Sequence, residues 1–321
     1  MRKCVVTGCA GFIGSHLVDR LLSNGDTVIG IDNFSTGRME FISEAKQSLN
    51  FTLHQIDLLE YDQIESVFIG ADIVFHLSAN ADVRNGINHT RVDLEQNTIV
   101  THNVLEAMRV NNVMNIAFSS TGSVYGEAKT IPTPEDAAFP IQTSLYGASK
   151  LACEGLISAY AEAFGINAWI FRFVSILGER YTHGHIYDFY KKLKKTPFSL
   201  EVLGNGKQRK SYLYIHDCID AIFLAINNQK ENVNILNLGF DDYCDVNSSI
   251  GWICKELNLD PKLKYTGGNR GWIGDNPFIY LDTKRMQGIG WNPKVTIQQA
   301  IIKTVNYLQE NEWVFDDKHA I

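Results

Sequence analysis

The chain has 321 residues, 45% of them hydrophobic and 20% charged, with a net charge of −7. That is an ordinary globular balance for one large domain or two modest ones. The acidic surplus argues against a nucleic-acid partner or an anionic membrane surface, and the best apolar stretch, Ala168 to Val174, is too short for a membrane span and is broken by Arg172.

Along the chain, Cys4 to Val6 reads as a buried strand. Gly8, Gly11 and Gly14 follow, and then Ile13, Leu17, Leu21 and Leu22 recur at helical spacing. A strand therefore turns through glycines straight into a helix. The first glycine allows the tight turn, the second lets backbone approach a pyrophosphate, and the third lets helix pack on strand. The phosphate then sits at the helix N-terminus. Thr27 to Ile31 is a second strand ending at Asp32. An acid there accepts hydrogen bonds from ribose hydroxyls and repels a 2′-phosphate, which points to NAD rather than NADP.

Further strands are expected at Phe51 to Ile56, Asp72 to Leu77, Val113 to Phe118 and Ala168 to Val174. Helical patterns lie between them, one through Val92, Ile99, Val100, Val104, Leu105 and Met108, another through Leu151, Leu156, Ile157, Tyr160 and Phe164. Strands alternating with helices imply an α/β fold with a doubly wound parallel sheet. Ligands in such sheets bind beyond the carboxyl ends of the strands, where Asp32, Asp57, Ser78 and Thr121 fall. Residues 179–210 are loop-rich apart from a short helix near Ile186 to Leu193. A strand at Tyr212 to Ile215, a helix through Ala221 to Ile226 and an apolar run at Ile235 to Leu238 return the chain to the sheet. Helices are expected at Ser248 to Leu257 and Ile297 to Leu308. The expected division is a nucleotide-binding domain, 1–175 plus about 211–240, and a smaller discontinuous domain, about 176–210 and 241–321.

The six cysteines, at 4, 9, 153, 218, 244 and 254, are scattered without a CxxC. They read as free thiols of a reducing compartment, the cytoplasm. No signal peptide is expected before the first strand. His183 and His185 lack a carboxylate or cysteine to complete a ligand set, so no metal is expected. Lys191, Lys192, Lys194 and Lys195 read as a solvated helix face, and Trp169, Trp252 and Trp291 as core.

Tyr146 and Lys150 lie one helical turn apart and share a face. A nearby ammonium favours phenolate, so Tyr146 is expected to have a lowered pKa and to act as a proton acceptor. Phe118 to Gly126, Phe-Ser-Ser-Thr-Gly-Ser-Val-Tyr-Gly, places Thr121 at a strand end, where it can bond the same substrate oxygen.

Thr-Gly-x-x-Gly-Phe-Ile-Gly, Asp57-Leu58, Phe-His-Leu-Ser-Ala at 75–79, Asn97, Ser-Ser-Thr-Gly-Ser-Val-Tyr-Gly and Tyr146/Lys150 occur in order. Together they resemble the extended short-chain dehydrogenase/reductase family, within it the nucleotide-sugar epimerases and dehydratases, and most of all the UDP-hexose 4-epimerases. The resemblance spans residue 2 to about 310. It implies a Rossmann-like domain in which Gly8, Gly11, Phe12, Ile13 and Gly14 wrap the NAD pyrophosphate. Asp32 and Asn33 would hold the adenosine ribose with Ser35, Gly37 and Arg38 nearby, and Asp57 and Leu58 would flank the adenine. Leu77, Ser78 and Ala79 would line the nicotinamide, Asn97 would belong to the cofactor site, and Lys150 would bind the nicotinamide ribose. Thr121 and Tyr146 would address the sugar hydroxyl. Arg270 would meet the diphosphate and Asp275 the nucleoside ribose. Either Arg209 or Lys210 would add a phosphate contact, and residues 183–189 and 201–203 would face the nucleoside.

The chain departs from that pattern at Cys9, where the family has glycine, and at Ser175, where it often has a substrate-touching asparagine. Gly122-Ser123 replaces the Asp-Glu of the 4,6-dehydratases, which argues against water elimination. The resemblance implies NAD-dependent 4-epimerisation of a nucleotide-activated hexose, through a 4-keto sugar, by a homodimer paired through helices near 92–110 and the helix of Tyr146. A dehydratase, decarboxylase, 2-epimerase or keto-reductase of the same family remains open, as does a non-catalytic NAD sensor. The sugar and the base are also open.

Overall fold

Seven runs form the strands of the central sheet, most of them buried on both faces: β1 Lys3–Thr7, β2 Thr27–Ile31, β3 Phe51–His54, β4 Ile73–His76, β5 Asn115–Thr121, β6 Asn167–Phe173 and β7 Val233–Leu238, with the edge strand β3 partly exposed. They pair side by side in the order β7-β6-β5-β4-β1-β2-β3, and every pairing is parallel. This is a computed structural model that describes residues 1–80, 82–83, 85–138, 141–228, 231–271, 276 and 278–316.

Alternate strand residues feed two cores. Cys4, Val6 and Phe75 pack on one face with Leu17, Val18 and Leu21 of helix α1, Phe12–Ser23. Val5, Val74 and Phe118 pack on the other with Val104, Leu105 and Met108 of α2, Val100–Val110, and with Cys153 and Ile157 of α3, Leu145–Phe164. The strand order reverses between β1 and β4. There the glycine turn after β1 meets the loop after β4, the position where doubly wound sheets bind ligands.

Helix α4, His185–Lys195, belongs to the region after β6. Ser175–Leu177 pairs parallel with Tyr212–Tyr214, which leads into α5, Ile215–Asn228, and on to β7. Arg209–Lys210 lies between Cys244–Asp245 and Phe278–Ile279 in a small sheet, and Ser199–Val202 pairs with Lys262–Tyr265. Helices α6, Val246–Glu256, and α7, Ile297–Glu310, complete this side.

The expected elements are present, with ends displaced by a few residues. The stretch expected as one helix around Val92 to Met108 is composite. Thr90–Asp93 is α-helical, Leu94–Ile99 is wound as a π-helix, and α2 follows. The strand expected at Tyr212 to Ile215 forms, but it pairs with Ser175–Leu177 in a separate two-stranded sheet rather than joining the central one; the other short strands, of two to four residues, are too short to show a period. All six cysteines are buried free thiols.

Candidate active site

The glycine turn is shaped by contact as much as by conformation. Gly8 has φ +69°, and a Cβ there would meet the Ser78 nitrogen at 2.9 Å. A Cβ on Gly14 would sit 2.0 Å from the Gly8 carbonyl oxygen, so α1 can dock on β1 only with glycine there. Cys9 replaces a family glycine without intruding. It is fully buried and points at Gly30, where a Cβ would lie 2.6 Å from its sulfur. Gly30 therefore makes room beneath the turn. Helix α1 has no side-chain cap and no acid in its first turn. Its first N–H groups and positive dipole end suit a pyrophosphate.

Asp32 closes the next corner. Its carboxylate accepts from the Ala10 N–H at 2.9 Å and the Phe34 N–H at 2.8 Å, and a Cβ on Gly37 would fall 2.7 Å from it. Asn33 Nδ2 donates to Asp57 Oδ2 at 3.0 Å, joining two residues expected at the adenosine end. Asn33 Oδ1 accepts from the Ser35 N–H, and Leu58 is buried beside Asp57. The acid, the uncapped helix and the glycine cradle fit a dinucleotide without a 2′-phosphate.

Leu77, Ser78 and Ala79 leave the end of β4 half-buried. The Leu77 and Ser78 N–H groups donate to Thr7 Oγ1 at 3.2 and 3.3 Å. Thr7 Oγ1 also shares a 2.7 Å hydrogen bond with His76 Nδ1, and His76 Nε2 shares one of 3.0 Å with Thr101 Oγ1. His76 is fully buried, and desolvation pulls its pKa down to about 3. It is thus a neutral bridge between β1, β4 and α2. Its place in Phe-His-Leu-Ser-Ala is legible in the sequence, whereas its bridging role depends on the packing of α2.

The residues expected to react, Thr121, Tyr146 and Lys150, meet at the end of β5. Ser144 caps α3 by accepting from the Gly147 N–H at 3.0 Å. Gly147 lets that first turn come close, since a Cβ there would lie 2.9 Å from the Ser123 carbonyl oxygen. Tyr146 and Thr121 are hydrogen-bonded through their side chains. Thr121 Oγ1 also accepts from the Ser123 N–H at 3.1 Å. Lys150 is 1% exposed, donates from Nζ to the Ser119 carbonyl at 2.8 Å and lies 4.6 Å from the centre of the Phe118 ring. Asn97, in the π-helical turn, accepts from the Asn80 N–H at 2.9 Å and donates to Ser149 Oγ at 2.8 Å; Ser149 in turn donates to the Tyr146 carbonyl. Asn97 thus ties the π-helical turn and Asn80 to α3.

The electrostatics differ from expectation. Desolvation pushes the Tyr146 phenol up to about 12, the Asp93 charge adds to this, and the hydrogen bond to Thr121 opposes it. Desolvation pulls Lys150 down to about 8. The expected lowering of the tyrosine by its lysine neighbour is not found: burial, which disfavours the charged form of both, dominates each shift. Asp93 is itself 1% exposed, its pKa is raised by burial, and its Oδ2 has no hydrogen-bond partner among the described residues.

Beside this group lies a cleft of about 390 Å³ lined by Ser123, Ser144, Ser175, His185, Lys210 and Tyr212 among others. Ser175 is exposed at its wall. Of the two neighbouring cations, Lys210 faces the cleft, donating to the Asn276 carbonyl. Arg209 points to the other face of its strand, stacked 3.9 Å from the Phe278 ring centre. Arg270 pairs with Glu127. Asp275 lies outside the described residues. Arg38, expected near the ribose, sends its guanidinium to the Val314 and Asp316 carbonyls. Residues 183–189 and 201–203 reach the cleft through His183, Gly184, His185, Asp188, Phe189 and Leu203.

A glycine turn at the reversal of a parallel sheet, with a buried Tyr–Lys pair over the next strand end, defines a dinucleotide-dependent enzyme of the Rossmann class. The chain belongs to the NAD dependent epimerase/dehydratase family, whose sequence profile matches residues 4–239. Its cofactor is NAD. It is 34% identical to the uncharacterized UDP-glucose epimerase YtcB of Bacillus subtilis over 315 residues, 95% of this chain and 98% of that one. A crystal structure of a UDP-galactose 4-epimerase matches with a TM-score of 0.87 at 36% identity, covering 97% of this chain and 100% of that one. The UDP-glucuronic acid 4-epimerase of Bacillus cereus, in complex with UDP-glucuronic acid and NAD, matches with a TM-score of 0.89 at 27% identity, covering 96% and 99%. Among the described residues, no helix is long and apolar enough to cross a membrane.

Proposed function

We propose that the chain is a 4-epimerase of a UDP-activated hexose, glucose/galactose or their N-acetyl forms, working through a 4-keto sugar. The observation that carries this is the meeting of Tyr146, Thr121 and Lys150 at the rim of a cleft whose wall presents Lys210. NAD, when bound, supplies reversible hydride transfer. Tyr146 takes the proton of the C4 hydroxyl and later returns it. Burial by itself keeps Tyr146 as the phenol, so taking the proton requires a positive neighbour that favours the phenolate. Thr121 orients the oxygen, and the Lys150 ammonium offsets charge developing on the tyrosine. Lys210 holds the diphosphate while the keto sugar turns between faces, and Arg270 joins it by exchanging Glu127 for phosphate. Gly122 and Ser123 place no carboxyl beside the sugar, which speaks against 4,6-dehydration. The named relatives, acting on galactose, glucose and glucuronic acid derivatives, support the reaction more narrowly than the sugar.

Self-association fits the same reading. Leu94 and Ile99, beside α2, and Leu145 and Phe164 on α3 are exposed apolar side chains at 39–50%. Pairing of these helices with a second copy would cover them.

The test is NMR of UDP-glucose, UDP-N-acetylglucosamine and UDP-glucuronate incubated separately with the protein, with Tyr146→Phe as control. A C4-inverted product that needs no added NADH and is slowed about 100-fold or more in the variant is the expected result. A keto, unsaturated or decarboxylated product would move the chain to a sister reaction. Bound NAD with no product from any sugar would count against the reading.

A further inference from the structure

Arg38 is anchored at both ends. Its backbone N–H donates to the Ala10 carbonyl at 2.8 Å, tying it to the glycine turn. Its Nη2 donates to the Val314 carbonyl at 2.8 Å and the Asp316 carbonyl at 3.3 Å, and its guanidinium lies 5.9 Å from the Trp313 ring. Trp313 also meets Phe41, from the turn that follows Arg38, edge-on at 5.8 Å. The segment Glu312–Phe315 that receives these contacts is a short helical turn after α7, with Val314 fully buried.

The other side of that segment grips α4. Phe315 stacks on Tyr187 at 4.6 Å and on Tyr190 at 5.2 Å. The Tyr187 hydroxyl donates to the Val314 carbonyl, and Lys194 pairs with Glu312 at 2.5 Å. Val314 thus accepts from Arg38 and from Tyr187 at one carbonyl oxygen. The next faces of α4 carry His185, Asp188, Phe189 and Lys192 into the cleft. A carbonyl shared by an arginine of the cofactor loop and a tyrosine of the cleft helix joins the two sites through one atom.

We propose that Arg38 is a positioning residue and that the segment Glu312–Phe315 is a strap. The strap holds the loop after Asp32 against the glycine turn, so that NAD stays bound, and it couples that loop to the helix lining the cleft. Within the loop, Asp32 accepts from Ala10 and Phe34 and Asn33 bridges to Asp57 and Ser35; Arg38 is where the loop reaches the strap. A guanidinium donating to carbonyls, with an indole beside it, supplies a charge-assisted anchor. The coupling to the cleft rests on the nucleotide-sugar reading above, whereas NAD retention does not depend on which sugar is used.

The experiment is a double-mutant cycle on the holoprotein, read as the rate at which bound NAD leaves, trapped in an enzymatic NAD assay. Arg38→Met and Trp313→Ala are each expected to speed release about tenfold, and the double variant no more than the faster single, because both cut the same link. Urea midpoints in saturating NAD keep loss of hold apart from general unfolding. If Trp313→Ala does not fold, Tyr187→Phe, which deletes only the hydroxyl on Val314, replaces it in the cycle. Faster release in Arg38→Met alone would mean that Arg38 acts on the dinucleotide directly and would overturn the strap. Multiplying effects, or no change in either single variant, would overturn it as well.

Discussion

Glu154 of α3 and Arg172 of β6 form a two-point ion pair, with Arg172 Nε 3.0 Å from Glu154 Oε1 and Nη2 2.7 Å from Oε2. Both side chains are almost wholly buried, and the Ser120 hydroxyl donates to the same carboxylate. Arg172 Nη1 also donates to the Tyr125 hydroxyl at 2.7 Å, which donates to Asn237 Oδ1. Glu154 lies one helical turn beyond Lys150, and Ser120 precedes Thr121. The pair therefore ties α3 to β6, and the Ser120 hydroxyl adds β5, directly behind the proposed reacting groups.

Removing one partner should leave a buried charge unpaired. Arg172→Met is expected to cost about 3–5 kcal/mol of stability, and Arg172→Met with Glu154→Leu distinctly less. Urea unfolding of both variants checks this. Equal losses would mean that packing around the pair matters more than its charge.

The cleft wall yields a contrast between neighbours. Lys210→Ala should raise KM for the nucleotide sugar about tenfold or more, the scale of one charge-assisted hydrogen bond, with a smaller change in kcat. Arg209→Ala should leave KM nearly unchanged, since its guanidinium lies on aromatic rings outside the cleft. Steady-state kinetics of the two variants decide it, and the reverse pattern would reassign the phosphate contact.

Lys150 should mark the alkaline side of the rate profile. Its ammonium persists below about 8 and is lost above. If that charge supports the tyrosine, kcat falls as pH rises through this value. Profiles of the native protein between pH 6 and about 10 test it, and a flat rate across about 7 to 10 would remove Lys150 from the chemistry.

Acid should destabilise the fold before the carboxylates titrate. His76 and His16 have folded pKa values depressed to about 3, chiefly by desolvation. Below about 6.5 the unfolded chain takes up protons that the folded chain refuses, so stability falls as pH drops from there toward 3. At pH 5 each histidine should cost about 2 kcal/mol relative to neutral pH. Urea midpoints at pH 7 and 5 measure the sum. His76→Gln, which keeps hydrogen-bonding capacity without the titration, should flatten part of the slope.

The sequence by itself determined the alternation of strands and helices, the glycine turn, Asp32 at a strand end, and Tyr146 with Lys150 on one helical face. These are written in short-range terms: a turn needing glycine, an apolar period, residues one turn apart. Tertiary structure alone decided what depends on distant neighbours. It turned Lys210 rather than Arg209 into the cleft, because strand residues alternate and only packing chooses the face. It sent Arg38 to carbonyls near the chain end, about 276 positions away in sequence. It raised the Tyr146 pKa where its nearby lysine predicted a fall, because desolvation is summed over every element packed around a group, and no local pattern records that sum.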